Sequence, residues 1–273
     1  MPSNDLCAVF HALHHEGCFI LPNPWDAGSA RFLQGLGFKA LATTSSGMAW
    51  SHGQRDGAAG LETVLAHLRT MVAATGLPLN ADFENGYADD PDGVARNVRL
   101  AVDTGVAGLS IEDATGNPES PLFPLETAVE RLRAARRAID EAGTGTLLVG
   151  RAENFFVGKP DLDDAIARLQ AYAEAGADCL YAPGIRTREQ IAAVVSAVSP
   201  KPVNLLIGST SELTLQDAAA LGVRRISVGG ALARSAWAGF MQAAQALAQG
   251  RFDTAFAHAA PGNELNALFS PRP

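Results

Sequence analysis

The sequence predicts a single (β/α)8 barrel, on the strength of a recurring local pattern, the chain length and a uniform composition. In the recurring pattern an Ala- and Leu-rich stretch is followed by a glycine, one to three residues and an apolar strand, as in LGFKALATTS, TGVAGLSIED, AGADCLYAPG and LGVRRISVGG. Glycine suits the left-handed position that closes a helix, so each copy indicates a helix followed at once by a strand. The chain has 273 residues, and such a barrel commonly needs about 250.

Eight predicted strands alternate with helices along the chain. They lie near residues 18–21, 40–45, 77–84, 108–113, 147–153, 179–183, 203–207 and 226–229. Helices are expected between them, for example over residues 61–75 and 127–141. Eight β-then-α units favour closure into a TIM barrel, although an open doubly wound sheet has the same periodicity. We therefore expect one domain with an N-terminal helix in residues 1–17, the barrel in 18–249 and a C-terminal tail in 250–273.

Composition and charge narrow the possible partners. Hydrophobic residues make up 47% of the chain, and the formal net charge is -8, which disfavours nucleic acids and anionic membranes as partners. The three cysteines have no spacing typical of a zinc site or a disulfide framework. No basic leader precedes a long apolar stretch, and no apolar run reaches the ~20 residues that a membrane span requires. We expect a reduced, cytoplasmic protein.

Polar side chains collect at the ends of strands three, four and five, where barrels of this class place their active sites. In NADFENGY, Asn80, Asp82 and Glu84 are two residues apart, so strand alternation turns them to one face. Strand four ends in SIEDA and strand five in GRAENF, which bring Glu112 and Arg151 to the same rim. We expect the three carboxylates of Asp82, Glu84 and Glu112 to converge there.

Like charges at one rim repel each other unless a cation offsets them. Oxygen ligands with no histidine or cysteine nearby favour Mg²⁺, with Mn²⁺ as the other candidate. The alternative is that the acids cap the helices that follow them. Arg151 also has two possible roles: a bidentate grip on a substrate carboxylate, or an internal salt bridge with Glu153 or Glu112.

Strand two continues into TTSSGMAWSHGQRDG. The hydroxyl groups of Ser45 and Ser46 and the backbone N–H of Gly47 could together receive a carboxylate. A polar loop without a binding role would have the same composition, and this alternative stays open at the level of sequence.

An ordered set of motifs resembles the isocitrate lyase/phosphoenolpyruvate mutase superfamily. The motifs are NPWDAGSARFLQGLGFKALATTSSG, NADFENGY, SIEDA, GRAENF, GADCLYAPG and PVNLLI, and the resemblance extends over about residues 21–244. It implies a (β/α)8 barrel that handles 2-oxo acids through Mg²⁺-stabilised enolates. It also implies a homo-oligomer, a dimer or a tetramer, in which the helix from residue 231 to 248 is exchanged between subunits.

The resemblance assigns a role to each candidate residue at a matching position. By this resemblance, Ser46 and Gly47 donate hydrogen bonds to the substrate carboxylate, and Arg151 and Asn204 contact the substrate. Asp82, Glu84 and Glu112 hold the metal ion, partly through water. Asp56 corresponds to the nucleophilic aspartate of the phosphonate branch.

Two departures from the family pattern shape the predicted function. The segment after strand four, ATGNPESPLFPLE, lacks the cysteine with which the lyase branch protonates its product, and Thr44 stands where the lyases have a tyrosine. We predict a Mg²⁺-dependent lyase that acts on a small 2-oxo or 2-hydroxy di- or tricarboxylate by C–C cleavage or decarboxylation. Asp56, Glu112 and Arg151 are the predicted catalytic residues. The alternatives are a phosphonate or C–C hydrolase or mutase that uses Asp56, and a non-catalytic barrel that binds 2-oxo acids.

Overall fold

The computed structural model describes residues 3–270, with side chains from residue 5 onward. Its strands are β1 (Phe19–Leu21), β2 (Leu41–Ala42), β3 (Leu79–Asp82), β4 (Gly108–Glu112), β5 (Leu147–Arg151), β6 (Cys179–Tyr181), β7 (Val203–Leu206) and β8 (Arg225–Ser227). Its helices are α1 (Ser3–Leu13), α2 (Ala27–Gly35), α3 (Ser45–Ser51), α4 (Leu61–Ala74), α5 (Pro91–Val102), α6 (Leu125–Ala142), α7 (Leu162–Glu174), α8 (Arg188–Val198), α9 (Leu215–Ala220), α10 (Ala231–Ala248), α11 (Phe252–Ala255) and α12 (Gly262–Phe269).

The strands form one parallel sheet that curls into a barrel. Their order is β1-β8-β7-β6-β5-β4-β3-β2, so β1 and β2 are the two ends of the hydrogen-bonded sheet. Those ends meet, because the N–H of Ala42 in β2 donates to the carbonyl of Pro22, the residue after β1, at 3.0 Å. The predicted (β/α)8 barrel is therefore confirmed, and the open doubly wound sheet is excluded.

Several predicted strand ends were wrong, and those of strands two and three change the mouth of the barrel most. Strand two was expected to run to residue 45, but β2 ends at Ala42 and α3 begins at Ser45. Thr44 caps α3, since its side chain accepts from the N–H of Gly47. Strand three was expected to reach Glu84, but β3 ends at Asp82 and the chain turns. The predicted helices at 61–75 and 127–141 correspond to α4 and α6.

The N-terminal end of the barrel is closed by α1. Phe10 of α1 is fully buried and belongs to a core cluster with residues from inside the barrel, including Val149 and Cys179. His14 stacks edge-on against Phe10, with 4.8 Å between ring centroids. Because this end is plugged by apolar and aromatic side chains, the interior of the barrel is open only at the carboxyl ends of the strands.

The C-terminal helices leave much apolar surface exposed. Only Ala233 and Ala246 of the 18 residues of α10 are buried. Phe240 and Met241 are 62% and 53% exposed, and Phe252 of α11 is 70% exposed. The predicted tail thus contains α11 and α12, while the predictions for residues 1, 2 and 271–273 lie outside the described residues. Within the described chain, no helix combines the length and apolar character that a bilayer span would require.

Candidate active site

A cavity of about 930 Å³ opens at the carboxyl ends of the strands. The predicted site residues that line it are Ser45, Ser46, Asp56, Asp82, Glu84, Glu112, Arg151 and Asn204. Gly47 is the one predicted residue outside the lining. All but one of the site residues predicted from the sequence therefore lie in a single cavity, which has room for a ligand.

Arg151 is the centre of an ion-pair network in this cavity. Its Nη1 lies 3.1 Å from Oδ1 of Asp82 and 3.0 Å from Oε2 of Glu112, and its Nε donates to Glu153. The guanidinium carbon also lies 5.2 Å from the ring centroid of Tyr181. The internal salt bridges that the sequence left open as an alternative are thus present. They do not close the cavity, and no hydrogen bond among residues 3–270 uses Nη2 of Arg151.

The part of the cavity around Arg151 is rich in carboxyl groups. Six acidic and five arginine side chains line the whole cavity. The acidic side chains that interact electrostatically with Arg151 or with one another are Asp56, Asp82, Glu84, Glu112 and Glu153. Burial, together with the negative charge of Asp82, raises the pKa of Glu84 to about 7, and the Tyr87 hydroxyl, which donates to Glu84 at 2.9 Å, offsets only part of this rise. Burial likewise raises the pKa of Glu112 well above its ordinary value, although Arg151 opposes this. A cation near these carboxyl groups would favour their ionised forms.

The arrangement of the carboxyl groups decides whether they could bind a divalent ion directly or through water. No group of three or more His, Cys, Asp or Glu side chains in residues 3–270 is arranged to hold one metal ion directly. The expected convergence of Asp82, Glu84 and Glu112 on a shared ion is therefore not seen as direct coordination. Mg²⁺, however, keeps several of its water molecules and often binds through one or two carboxylates. An all-oxygen, negatively charged rim fits such a hydrated ion.

The segment after β2 brings a second set of donors to the rim. The N–H of Ser45 donates to Oδ2 of Asp82 at 3.0 Å, and the hydroxyl groups of Ser46 and Thr44 lie 3.0 Å apart. Gly47 is needed for packing, because a Cβ there would lie 2.7 Å from Cγ2 of Thr44 and 2.8 Å from Cβ of Trp25. Ser45 and Ser46 thus face the cavity, whereas a substrate contact by Gly47 stays a prediction.

Asp56 lies on the loop between α3 and α4 and reaches the same cavity. Burial raises the pKa of its carboxyl group, while the neighbouring Ser45 side chain offsets part of this rise. A carboxyl group of this kind can exchange a proton with a ligand or with water in the cavity.

The floor of the cavity is a buried polar cluster around Arg225, which sequence reasoning missed. The amide of Asn204 donates from Nδ2 to the Ser227 hydroxyl at 2.9 Å and accepts at Oδ1 from Nε of Arg225 at 2.8 Å. Nη1 of Arg225 lies 3.3 Å from Oδ1 of Asn80 and 3.4 Å from Nε2 of His14. The predicted strand eight began at residue 226, one residue too late to include Arg225 in the barrel.

A second missed residue, Asp113, supports Glu153 from behind. Its Oδ1 accepts from the backbone N–H of Glu153 at 2.8 Å, and its Oδ2 accepts from Arg168 at 3.0 Å and from the Tyr172 hydroxyl at 2.6 Å. Asp113 directly follows β4 and faces away from Glu112, so the prediction for the rim did not include it. Its position directly after the strand was the available sequence signal for its role in supporting Glu153. The network fixes the backbone next to Arg151.

Comparison with known protein families agrees with this fold and site. A family profile described as phosphoenolpyruvate phosphomutase matches residues 10–248. The chain belongs to this family. It is thus a member of the isocitrate lyase/phosphoenolpyruvate mutase superfamily, which includes C–C lyases and mutases and whose enzymes generally depend on a divalent metal.

Two relatives in the superfamily illustrate its range. The uncharacterized protein Rv1998c of Mycobacterium tuberculosis (strain ATCC 25618 / H37Rv) is 32% identical over 222 residues, which cover 81% of each chain. An oxaloacetate decarboxylase of Bradyrhizobium sp. (strain ORS 278) is 32% identical over 228 residues, which cover 79% of this chain and 74% of the relative.

Solved structures of the superfamily have the same fold. A protein from Burkholderia cenocepacia J2315, provisionally assigned as a lyase/mutase, is 48% identical with a TM-score of 0.94, covering 98% of this chain and 97% of that one. An oxaloacetate acetylhydrolase in complex with oxalate is 26% identical with a TM-score of 0.86, covering 97% of this chain and 94% of that one.

Proposed function

We propose that this phosphoenolpyruvate mutase family member is a Mg²⁺-dependent C–C lyase that acts on a small 2-oxo or 2-hydroxy di- or tricarboxylate. The observation that carries the proposal is the cavity in which Arg151 pairs with three carboxyl groups, with those of Asp56 and Glu84 in the same lining. Decarboxylation of an oxaloacetate-like acid is the preferred reaction, because carbon dioxide leaves without needing a proton from the protein. The similarity to an oxaloacetate decarboxylase supports the same choice.

The residues of the cavity divide into those that hold the ion and those that hold the substrate. Asp82, Glu84 and Glu112 would hold Mg²⁺, largely through water. When bound, Mg²⁺ supplies a Lewis acid that draws electron density away from the keto group of the substrate. Nη2 of Arg151 and the Ser46 hydroxyl would bind the substrate carboxylate.

In decarboxylation, the bond between C3 and the distal carboxylate breaks and its electron pair moves towards the keto oxygen. The guanidinium of Arg151 stabilises the negative charge that develops there, and donors fixed in a water-poor site are effective in that role. Carbon dioxide leaves, and a proton from water completes C3. The missing lid cysteine has no part in this sequence of bond changes.

Hydrolysis of a C–C bond through Asp56 is the second candidate. It is favoured by the similarity to an oxaloacetate acetylhydrolase and by the position of Asp56 in the cavity, where its raised pKa suits proton transfer with water. An Asp56→Asn variant separates the two reactions. Decarboxylation should be largely retained, whereas hydrolysis should fall by at least about 100-fold, the usual contribution of a general base.

Product analysis tests the proposal directly. The purified protein would be incubated with 2-oxo and 2-hydroxy di- and tricarboxylates in Mg²⁺ and in EDTA, and pyruvate, glyoxylate, succinate, oxalate and acetate would be followed. Pyruvate from oxaloacetate that appears only with Mg²⁺, and faster than the metal alone produces it, supports a decarboxylase. Ligand binding with no product from any acid would mean a non-catalytic barrel and would overturn the lyase.

The exposed apolar face of α10 and α11 bears on the oligomeric state of the protein. We propose that a second copy of the chain covers it and that the protein is a homo-oligomer, a dimer or a tetramer. Trp237, Phe240 and Met241 of α10 and Phe252 of α11 are more than a third exposed, which is unusual for large apolar side chains grouped on adjacent helices.

The three free cysteine thiols accord with a reducing, cytoplasmic setting.

A further inference from the structure

The guanidinium of Arg131, on α6, is buried beneath the loop between β3 and α5. We refer to residues 83–90 as the Glu84 loop. Nη1 of Arg131 donates to the carbonyl groups of Ala88 and Asp89, each at 2.5 Å, and Nη2 donates to the carbonyl of Asn85. The arginine is 1% exposed. One side chain thus gathers three carbonyl groups that would otherwise point in different directions.

The Glu84 loop has an unfavourable backbone conformation. Glu84 and Tyr87 have φ angles of 44° and 55°, and within residues 3–270 they are the non-glycine residues with positive φ. Such conformations are rare for residues with a Cβ, and they persist only where the surroundings impose them. The two side chains are joined by the hydrogen bond from the Tyr87 hydroxyl to Glu84. Asn97 of α5 adds bonds to the carbonyls of Gly86 and Tyr87 at 2.9 and 3.0 Å.

The charge of Arg131 has no direct carboxylate partner. Among the ion pairs of residues 3–270, none involves Arg131. Its guanidinium carbon instead lies 4.0 Å from the ring centroid of Phe123, in the segment that connects β4 to α6. Asp89, Asp90 and Asp113 lie near enough to favour this charge, but none of them pairs with it directly. Burying a charge without an ion-pair partner is costly, so packing alone would favour an apolar residue at this position. An apolar residue could not provide the planar set of N–H donors with which the guanidinium binds the three carbonyl groups.

The position of Glu84 depends on this loop in two ways. Its side chain enters the cavity from a turn rather than from β3, and its carbonyl accepts from the N–H of Glu112 at 2.9 Å. A shift of the loop would therefore move a carboxyl group of the rim and loosen its link to β4. We propose that Arg131 is a positioning residue that holds Glu84 in the cavity by clamping the Glu84 loop. The consequence for Mg²⁺ rests on the proposed function, in which Glu84 helps to hold the ion.

Three variants test this role: Arg131→Met, Arg131→Lys and, as the control, Arg136→Met. Arg136 lies on the same helix, but its ion pairs are with Asp140 and Asp178, away from the Glu84 loop. The readouts are hydrogen exchange of the Gly86 and Tyr87 amides, which bond to Phe83 and Asn85, and Mg²⁺ affinity by calorimetry. Thermal unfolding reports whether each variant folds.

In Arg131→Met the exchange of these two amides should rise at least about tenfold more than that of β4 amides, and the Kd for Mg²⁺ should rise about tenfold, as for other supports of metal ligands. Arg131→Lys should fold and give intermediate values, because an ammonium group lacks the fork. Arg136→Met should lower stability without either local effect. Exchange in Arg131→Lys equal to that of the wild type, or equal loop effects in Arg136→Met, would overturn the proposal. Lack of Mg²⁺ binding by the wild type would instead refute the proposed function, and loop exchange would still decide the role of Arg131.

Discussion

The carboxyl group of Glu84 is expected to make the stability of the metal-free protein fall as the pH rises. Burial, with Asp82 beside it, raises its pKa from 4.5 to about 7. The folded protein therefore holds this proton more tightly than the unfolded chain does. The stability that the group contributes is fully present below pH 4.5 and is lost as the pH rises through 7.

The size of the effect follows from the pKa difference. At 1.36 kcal/mol for each pKa unit, a rise from 4.5 to about 7 corresponds to roughly 3.4 kcal/mol. Glu84 is partly open to the solvent of the cavity, which reduces the expected change to about 2 kcal/mol. Burial lowers the pKa of His14 to about 3 and that of His67 to about 4. These histidines act in the opposite direction up to their unfolded pKa, so a variant is needed to isolate Glu84.

The assay is denaturant unfolding in EDTA at pH 5 and pH 8, for the wild type and for Glu84→Gln. The histidines affect both proteins equally, so the difference between the two isolates Glu84. The wild type should lose about 2 kcal/mol more than Glu84→Gln between the two pH values. Excess Mg²⁺ at pH 8 should then stabilise the wild type more than the variant, because only the wild type has the ionised carboxylate.

Two results would refute this reasoning. If the difference between the two proteins stayed within about 0.5 kcal/mol from pH 5 to pH 8, Glu84 would titrate normally and its burial would be irrelevant to the site. If the wild type gained stability relative to Glu84→Gln as the pH rose, Glu84 would be an ion-pair partner rather than a surplus charge.

Other consequences of the structure can be measured with single substitutions. Arg151→Lys should lower kcat/KM by at least about 100-fold, or ~2.7 kcal/mol, because an ammonium group cannot serve several carboxylates and a substrate at once; steady-state kinetics check this. Gly47→Ala should lower the free energy of unfolding by about 1–3 kcal/mol through overpacking, whereas Gly76→Ala, where a Cβ meets nothing within 4 Å, should change it by less than about 0.5 kcal/mol in the same denaturant titration. Phe240→Glu should shift the assembly to smaller species in light scattering, and an unchanged mass would exclude α10 from the interface.

Much of the fold and the site could be predicted because the relevant signals are local. The repeated helix, glycine and strand pattern marked β2, β4, β6 and β8, and the other four predicted strands are present as well. Alternation within β4 and β5 placed Glu112 and Arg151 correctly at the mouth of the barrel. Glu84 lines the same cavity as Asp82, as expected, but it reaches the cavity through a turn with positive φ rather than from a strand. The predicted end of strand two at residue 45 was wrong, because the capping side chain of Thr44 starts a helix there.

The residues that sequence reasoning missed are those whose partners lie far away in the chain. Arg131 binds carbonyl groups more than 40 residues earlier, and Arg225 contacts Asn80 and His14 from across the barrel. Neither the spacing nor the residue type of an isolated arginine shows whether it faces solvent or the interior. The closed topology decides that, since it brings β8 beside β1 and sets α6 against the loop after β3.

The unfavourable features of the molecule are concentrated at the mouth of the barrel. Arg151 pairs with three carboxyl groups, Glu84 combines a raised pKa with a positive φ, and Arg131 is buried without an ion-pair partner. A buried ion-pair network is frequently no more stable than apolar side chains of the same size. A sequence optimised for stability alone would therefore replace these residues. Their common location, around a cavity large enough for a small carboxylate, is what an anion-binding and cation-binding site requires and what a purely structural network does not.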